Sequence, residues 1–200
     1  MKMKKNNLFW YRVKFIALVA VFLSPFIGGW MALYVFDIRP ESGNYGTLVQ
    51  PVKKLQWPVL ESVTGVRYDN GFGKKWSFLL FTRAACTEQC RSNLYYMRQI
   101  RTLLGRDTSR LQNVLISTHA IDGDLKGYLT DYPNLVVIAG EGQESLLAQF
   151  QVKGIEPVGS TAGLYLVDPD QNYMMYYPAE IDHYRVLEDI KKLMKLSQIG

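Results

Sequence analysis

The chain of 200 residues contains two cysteines, Cys86 and Cys90, which are separated by three residues. Two thiolates at this spacing can point at one soft metal ion such as Cu(I). They can also close into a disulfide if the two α-carbons lie about 5.5–6 Å apart, and as thiolates they can attack a disulfide of another protein. Bridges that serve stability usually close longer loops, so the short spacing favours a working pair over a structural one.

The cysteines lie between a predicted strand and a predicted helix. Residues 76–81 form a short, aromatic-rich apolar run without helical period, which predicts a buried strand. In residues 92–104 the apolar positions recur every three or four residues, which predicts a helix, and Gly105 is typical of its C-terminal end. The partial positive charge at the start of such a helix favours thiolate over thiol, so this arrangement would present a reactive pair.

The rest of the chain alternates between predicted strands and helices. Further strands are predicted at residues 111–118, 135–139, 164–167 and 173–177, and further helices at residues 144–150 and 181–196. Residues 46–49 and 59–60 are candidates for short edge strands. Strands that alternate with helices indicate a parallel central sheet, and the last two strands indicate a hairpin at an antiparallel edge. The sequence therefore predicts an α/β fold with the thioredoxin-like layout.

The N-terminal part of the chain predicts a single membrane helix. Residues 15–36 carry no charge and match the roughly 20 apolar residues that a helix needs to cross a bilayer. A cleaved signal peptide would have a shorter apolar region and a small-residue cleavage site, so a retained anchor is favoured. The predicted organisation is a basic cytoplasmic tail (1–14), a transmembrane helix (15–36), a linker (37–56) and an extracytoplasmic domain (57–200).

Charge also bears on location and partners. The formal net charge is +5, and much of the excess lies before the apolar segment, which places the N-terminus in the cytoplasm by the positive-inside rule. In a bacterium the domain then lies in the periplasm, attached to the inner membrane by one span. No aromatic platform or known module indicates nucleic-acid binding.

Several motifs together resemble the Sco/SenC proteins, which help to assemble the copper centre of cytochrome c oxidase. They are GKKWSFLLF at residues 73–81, CTEQC at 86–90, LYLVDP at 164–169 and DIKKL at 189–193. The resemblance covers the whole chain and implies that Cys86 and Cys90 are copper-binding cysteines. It implies Cu(I) as a candidate ligand, and a cytochrome oxidase subunit or other assembly factors as partners.

The chain departs from that family at the third copper ligand, a histidine shortly before the LYLVDP motif. Ser160 stands at the expected place, and a serine hydroxyl does not replace an imidazole for copper. His119 follows the strand predicted at 111–118 and is the candidate substitute, because the ends of parallel strands gather at one sheet edge. The sequence leaves open whether Pro157, in a segment similar to that before the cis-proline of thioredoxins, is cis.

Two functional hypotheses follow from the cysteine pair and the resemblance. In the first, the protein is a membrane-anchored oxidase assembly factor that acts through Cys86 and Cys90 by thiol–disulfide exchange or Cu(I) transfer. Any enzymatic activity would then be that of a thiol–disulfide oxidoreductase. In the second, the pair is a permanent disulfide and the domain is a non-catalytic docking scaffold in the same process. A general disulfide reductase or peroxidase is less favoured, because the CxxC motif is absent.

Overall fold

The computed structural model describes residues 5–35, 43–140, 142–152 and 154–197, and the chain divides into two compact units, Met1–Gly43 and Asn44–Gly200. The first unit contains helix α1 (Lys5–Tyr34), in which Phe9–Ala32 is long and apolar enough to cross a membrane by length and composition. The membrane helix predicted at 15–36 falls largely within α1. Residue 36 lies outside the described residues, and residues 5–14 of the predicted tail belong to the same helix.

The second unit is a mixed α/β domain, as predicted. Its strands are β1 (Thr47–Lys54), β2 (Leu60–Glu61), β3 (Arg67–Tyr68), β4 (Trp76–Thr82), β5 (Leu111–Ser117), β6 (Leu135–Ala139), β7 (Leu164–Val167) and β8 (Asn172–Tyr177). Its helices are α2 (Glu88–Leu103), α3 (Gly123–Leu129), α4 (Glu144–Phe150) and α5 (His183–Leu196), and a 3-10 turn (Gly105–Arg110) follows α2. Gly105 has a φ of 58°, which suits the position just after a helix.

Six strands form one sheet in the order β1-β8-β7-β4-β5-β6, and β2 pairs with β3 alone. β4, β5 and β6 are parallel, whereas β7 runs antiparallel to β4, β8 to β7, and β1 to β8. The predicted parallel sheet and hairpin are both present. The hairpin is not at the edge, however, because β1 pairs with the outer side of β8.

β4 is buried along its whole length because both faces of the sheet are covered around it. All seven of its residues are buried. Side chains alternate between the faces of a strand, so Phe78 and Leu80 join the core beneath α2 and α5, while Leu79 and Phe81 join the core beneath α4. The mainly apolar sequence of β4 therefore belongs to a strand that is packed on both sides, which gives the cysteine loop a rigid base.

The first strand lies within the range predicted as a linker, residues 37–56. Most residues of Thr47–Lys54 are exposed, and the strand forms the outer edge of the sheet, where Pro51 is tolerated. The segment leading into it is tied to the domain, because the buried carboxylate of Asp189 accepts a hydrogen bond from the backbone of Gly46 (2.9 Å). The compact unit therefore begins at Asn44, before the predicted boundary at residue 57.

Candidate active site

The cysteine turn lies at the edge of the sheet where β4 and β5 end and β7 begins. Thr82 at the end of β4 is paired with Ser117 at the end of β5, and Leu80 is paired with Leu164 at the start of β7. The loop after β5 and the loop before β7 consequently flank the cysteine turn on its two sides. His119 belongs to the first loop and Ser160 to the second, so the topology brings both sequence-predicted positions to one edge.

Cys86 and Cys90 are joined in a disulfide, with their α-carbons 5.3 Å apart. Cys86 lies on the loop just before α2, and Cys90 lies in the first turn of the helix. Thr87 caps this helix, because its hydroxyl accepts a hydrogen bond from the Cys90 backbone N–H (3.3 Å). The helix begins four residues earlier than the apolar period predicted. The period does not extend over the first turn, because that turn is mostly polar. The partial positive charge of its N-terminus is therefore directed at the pair.

Both cysteines are buried, and Cys86 is the more accessible of the two. Cys86 is 8% exposed and Cys90 is 4% exposed. Cys86 lines a small cavity of about 190 Å³ together with His119, and Ala84, Ala120 and Leu125 are among its other walls. A group in this cavity therefore lies beside Cys86, whereas Cys90 does not line it.

His119 is exposed and held by its own loop. The Ser117 hydroxyl accepts a hydrogen bond from the His119 backbone N–H (3.2 Å) and donates one to the His119 carbonyl (2.8 Å). The Nδ1 atom of the imidazole lies 2.9 Å from the hydroxyl of Thr118, which leaves Nε2 as the ring nitrogen available for another partner. The structure thus places the His119 loop beside Cys86.

Ser160 lies on the other side of the cysteine turn and interacts with its own loop. Its hydroxyl donates to the carbonyl of Pro157 (2.6 Å), and its side chain is exposed. Within the described residues the one cis peptide bond precedes Pro51, so the bond before Pro157 is trans. Neither the imidazole of the Sco pattern nor a cis-proline is present on this side.

Arg83, at the start of the cysteine turn, holds the Ser160 loop through hydrogen bonds that we call the Arg83 clasp. Its Nε donates to the carbonyl of Val158 (2.7 Å), its backbone N–H donates to the carbonyl of Gly159 (3.4 Å), and its guanidinium forms an ion pair with Glu144 (2.9 Å). Gly159 has a φ of 77°, and a Cβ atom there would lie 2.9 Å from the Cγ of Arg83. A larger residue at this position would therefore disturb the clasp.

The same loop is packed against Tyr176 where it enters β7. A Cβ atom on Gly163 would lie 2.6 Å from the ring of Tyr176, so glycine permits this close approach. Burial raises the pKa of the Tyr176 phenol, while a hydrogen bond with Thr161 opposes that shift. The phenol is therefore neutral at physiological pH, and Tyr176 contributes packing and a neutral hydrogen bond to this side of the turn.

A preformed three-ligand metal site is absent from the part of the chain that the structure describes. No three His, Cys, Asp or Glu side chains there are grouped closely enough to hold one ion. The donor chemistry nevertheless suits Cu(I) as cargo, because two thiolates become available when the disulfide is reduced and His119 lines the same cavity as Cys86. Two sulfur donors are thus in place, and a third ligand would require movement of the His119 ring.

Sequence reasoning missed two carboxamides on the cysteine helix, Gln89 and Asn93. Asn93 is fully buried and donates to the carbonyls of Ala162 (2.6 Å) and Ala179 (2.8 Å), and Gln89 donates to the same Ala179 carbonyl (2.8 Å). A signal was present, because Asn93 precedes Met97 by four positions and so lies on the buried stripe of the helix. A polar residue on an apolar stripe needs partners from other elements.

Comparisons with known proteins agree with this architecture. The family model described as "Transmembrane-like, thioredoxin-like, C-terminal domain" matches residues 76–197, which include the cysteine turn and both flanking loops. No curated protein matches the sequence.

Solved structures with the same fold include several Sco proteins. Yeast Sco1 with copper bound is 21% identical, with a TM-score of 0.57 over 72% of this chain and 90% of that chain. Apo Sco1 from Thermus thermophilus is 20% identical, with a TM-score of 0.56 over 75% of this chain and 96% of that chain. BsSco, a Sco family member with an identified disulfide switch, is 16% identical, with a TM-score of 0.55 over 76% and 99%. At these identities the likeness concerns the fold, and it confirms the thioredoxin-like prediction.

Proposed function

This chain belongs to the transmembrane-like, thioredoxin-like C-terminal domain family, and we propose that it is a membrane-anchored assembly factor for a copper-containing cytochrome oxidase. It acts through Cys86 and Cys90, by thiol–disulfide exchange or by Cu(I) transfer. The observation that carries this proposal is the Cys86–Cys90 disulfide, which lies between β4 and the N-terminus of α2 and borders an open cavity. The fold shared with Sco proteins, which are cytochrome c oxidase assembly proteins, supports the process proposed.

In the thiol reaction, the reduced pair donates two electrons to a disulfide of the partner. Cys86 is the attacking thiolate, because it lines the cavity and faces the positive end of α2. Its sulfur forms a mixed disulfide while the partner's second sulfur leaves as a thiolate. Cys90 then attacks the Cys86 sulfur, which closes the intramolecular disulfide and releases the reduced partner. A periplasmic thiol reductant must supply two electrons to regenerate the pair.

In the copper reaction, the same two thiolates hold Cu(I) as cargo and release it by ligand exchange. Cu(I) prefers soft sulfur ligands, and the 5.3 Å between the α-carbons allows both sulfurs to face one ion. Because Ser160 provides no imidazole, binding would depend on the thiolates, and His119 is the candidate additional ligand. The two reactions share one requirement, which is that the disulfide is reducible in the cell.

For the location, we propose that the N-terminus is cytoplasmic and that the domain lies in the periplasm of a bacterium. The apolar segment Phe9–Ala32 supports a membrane anchor, and the basic residues that precede and enter it support this orientation. A membrane-impermeant thiol reagent applied to intact, reduced cells should then label the cysteines. Labelling that requires lysis of the inner membrane would reverse the proposed orientation.

The second candidate function is a scaffold with a permanent disulfide. The burial of both cysteines, at 8% and 4% exposed, favours it. The reduction potential separates the two functions, since structural disulfides typically have potentials below about −300 mV whereas working ones are more oxidising.

The functional test replaces the chain in its own host with the Cys86→Ser/Cys90→Ser double variant and measures oxidase activity. We expect the variant to accumulate in the membrane while oxidase activity falls. Cys90→Ser alone should accumulate a mixed disulfide with a partner, because Cys86 attacks and no resolving thiol follows. Cys86→Ser is the matched control and should form no such adduct. Normal oxidase activity in the double variant would contradict the thiol-based function and leave the scaffold.

A further inference from the structure

A buried polar cluster connects the cysteine helix to two loops. None of the surface of Asn93 is exposed, and its Nδ2 donates to the carbonyl of Ala162 (2.6 Å) and to that of Ala179 (2.8 Å). Its Oδ1 accepts from Nε2 of Gln89 (3.3 Å), which also donates to the Ala179 carbonyl (2.8 Å). We call Gln89 and Asn93, with the two carbonyls that they bind, the carboxamide clamp.

The clamp joins three elements at the edge of the sheet that holds the cysteines. Gln89 precedes Cys90 in the first turn of α2, and Asn93 lies one turn later. Ala162 belongs to the loop that carries Ser160 and leads into β7, and Ala179 belongs to the connection between β8 and α5. The start of α2, which contains Cys90, is therefore fixed to the loop before β7 and to the connection after β8.

Helix packing alone does not require this cluster. A carboxamide in a core is tolerated when its groups are paired, whereas an apolar side chain would fill the same stripe without that requirement. Paired carboxamides also determine the position of the helix, because each hydrogen bond fixes the helix relative to a particular carbonyl. The position matters here because Cys86 lies on a loop while Cys90 lies on the helix, so the distance between the two sulfurs depends on where the helix is held.

We propose that Asn93, assisted by Gln89, is a positioning residue that holds Cys90 against Cys86 and so sets the equilibrium between the disulfide and the dithiol. This inference rests on the proposed function, in which the pair alternates between the two states. Two groups held in reacting geometry have a high effective concentration toward each other, which stabilises the disulfide. The Thr87 cap is separate from the clamp, so the effect of the helix N-terminus on the thiolate is retained when the clamp is removed.

The test is the equilibrium constant of the pair against glutathione, or against dithiothreitol for low potentials, in the full chain in detergent. Asn93→Ala should lower the constant for disulfide formation by about three- to tenfold, and a tenfold change corresponds to about 30 mV toward more oxidising potentials. Asn113→Ala is the matched control. Asn113 is also a buried asparagine on the α2 side of the sheet, but it lies four residues before the end of β5, about 13 Å along the strand from the cysteine edge.

Gln89→Met keeps the proposal testable if Asn93→Ala does not fold. Gln89 is half-buried, methionine has a similar length and helix preference, and the change removes the bond to Ala179. We expect a shift in the same direction as for Asn93→Ala, of about two- to threefold. If Gln89→Met has the same equilibrium constant as the wild type, the clamp is overturned. The same holds if Asn93→Ala has the same equilibrium constant as its control, Asn113→Ala.

The clamp and the proposed function fail in different ways. A wild-type pair as reducing as a structural disulfide would contradict the function, yet the ratio between variant and wild type would still be measurable with dithiothreitol. A wild-type pair in the working range with no difference between Asn93→Ala and Asn113→Ala would overturn the clamp alone. A shift of Asn93→Ala toward stronger disulfide formation would also overturn it, since the clamp is expected to bring the sulfurs together.

Discussion

The two loops that flank the cysteine turn differ in what holds them and in what they offer to a ligand. On the β5 side, His119 is exposed, is held through Ser117 and Thr118 of its own segment, and shares a cavity with Cys86. On the β7 side, the Ser160 loop is tied to the rest of the domain by Arg83, by the Asn93 bond to Ala162 and by packing on Tyr176. The β5 side therefore has an imidazole beside a cavity, whereas the loop on the β7 side is firmly attached to the rest of the domain.

A copper site needs both a firmly held loop and a suitable donor atom, and in this domain the two are found on different sides of the cysteine turn. The β7 side supplies rigidity next to the cysteine helix, although its side chain at the expected ligand position is a hydroxyl that bonds to Pro157. The β5 side supplies a nitrogen donor, although among the residues that the structure describes the ring belongs to no set of three potential ligands. The arrangement therefore favours chemistry that depends on the two sulfurs, and it would hold Cu(I) more weakly than three fixed ligands would.

The largest effect should come from removing one of the two sulfurs, because a ligand on either side of the cysteine turn would act together with them. Cys86→Ser should abolish competitive 1:1 Cu(I) binding to the reduced full chain, because one thiolate remains and the serine hydroxyl is a poor ligand for Cu(I). The measurement is a titration against a Cu(I) chelator. Undiminished binding in Cys86→Ser would place the copper site elsewhere and would make the two-loop comparison irrelevant to copper.

The second effect should come from giving the β7 side the missing donor. Ser160→His should tighten Cu(I) binding by at least about tenfold, or 1.4 kcal/mol, since the loop is firmly held and an imidazole would join two thiolates. Ser160→Ala is the control and should leave the affinity within about twofold of wild type, because the exposed hydroxyl contacts its own loop. Equal affinities for Ser160→His and Ser160→Ala would show that this side does not face the bound ion.

A smaller effect should come from loosening the β7 side. Arg83→Ala leaves the carbonyl of the buried Val158 without its donor, so we expect a loss of about 1 kcal/mol in the free energy of unfolding. Urea unfolding followed by tryptophan fluorescence measures it. Glu144→Gln breaks the exposed ion pair but keeps the Val158 bond, and should cost less than about 0.5 kcal/mol. If Arg83→Ala costs no more than Glu144→Gln, the Arg83–Val158 bond does not hold the loop.

The smallest effect should come from the β5 side. His119→Ala should weaken Cu(I) binding by about threefold, near 0.6 kcal/mol, because the ring is exposed and, within the described residues, belongs to no group of three potential ligands. His183→Ala is the matched control, since that imidazole stacks on Tyr96 at 4.6 Å. A loss greater than about tenfold for His119→Ala, with none for His183→Ala, would make His119 the third ligand and would reverse the comparison.

Several parts of the domain could be predicted because they follow from local pattern. Residues 76–81 of β4 were predicted as a strand from their mainly apolar, aromatic-rich sequence, and β6 and α4 have the predicted bounds. The cysteine turn could be located because a change of period marks the start of a helix. The full length of β1 could not be predicted within the linker range 37–56, where only residues 46–49 were candidates for a short edge strand, because the polar sequence TLVQPVKK is mostly exposed and resembles a linker. Its pairing with β8 is a long-range contact that no local pattern encodes.

The reactive residues of the candidate site could be predicted from the sequence, but the side chains that hold its loops and helix in place could not. Topology was sufficient to bring His119 to the cysteine edge, because parallel neighbouring strands end together. The Arg83 clasp and the carboxamide clamp both consist of side chains that bind carbonyls distant in sequence. Such bonds depend on how the loops pack, so a single arginine or asparagine in the sequence does not identify them.

Whether Cys86 and Cys90 form a working pair is tested most directly by the reduction potential of the unmodified full chain. The chain is equilibrated in detergent with dithiothreitol or glutathione buffers, and the fraction of free thiols is measured by alkylation. We predict a single two-electron transition above about −300 mV, within the range of exchangeable pairs. A transition well below that value would mean a structural disulfide, and the cysteine turn would then be part of a scaffold.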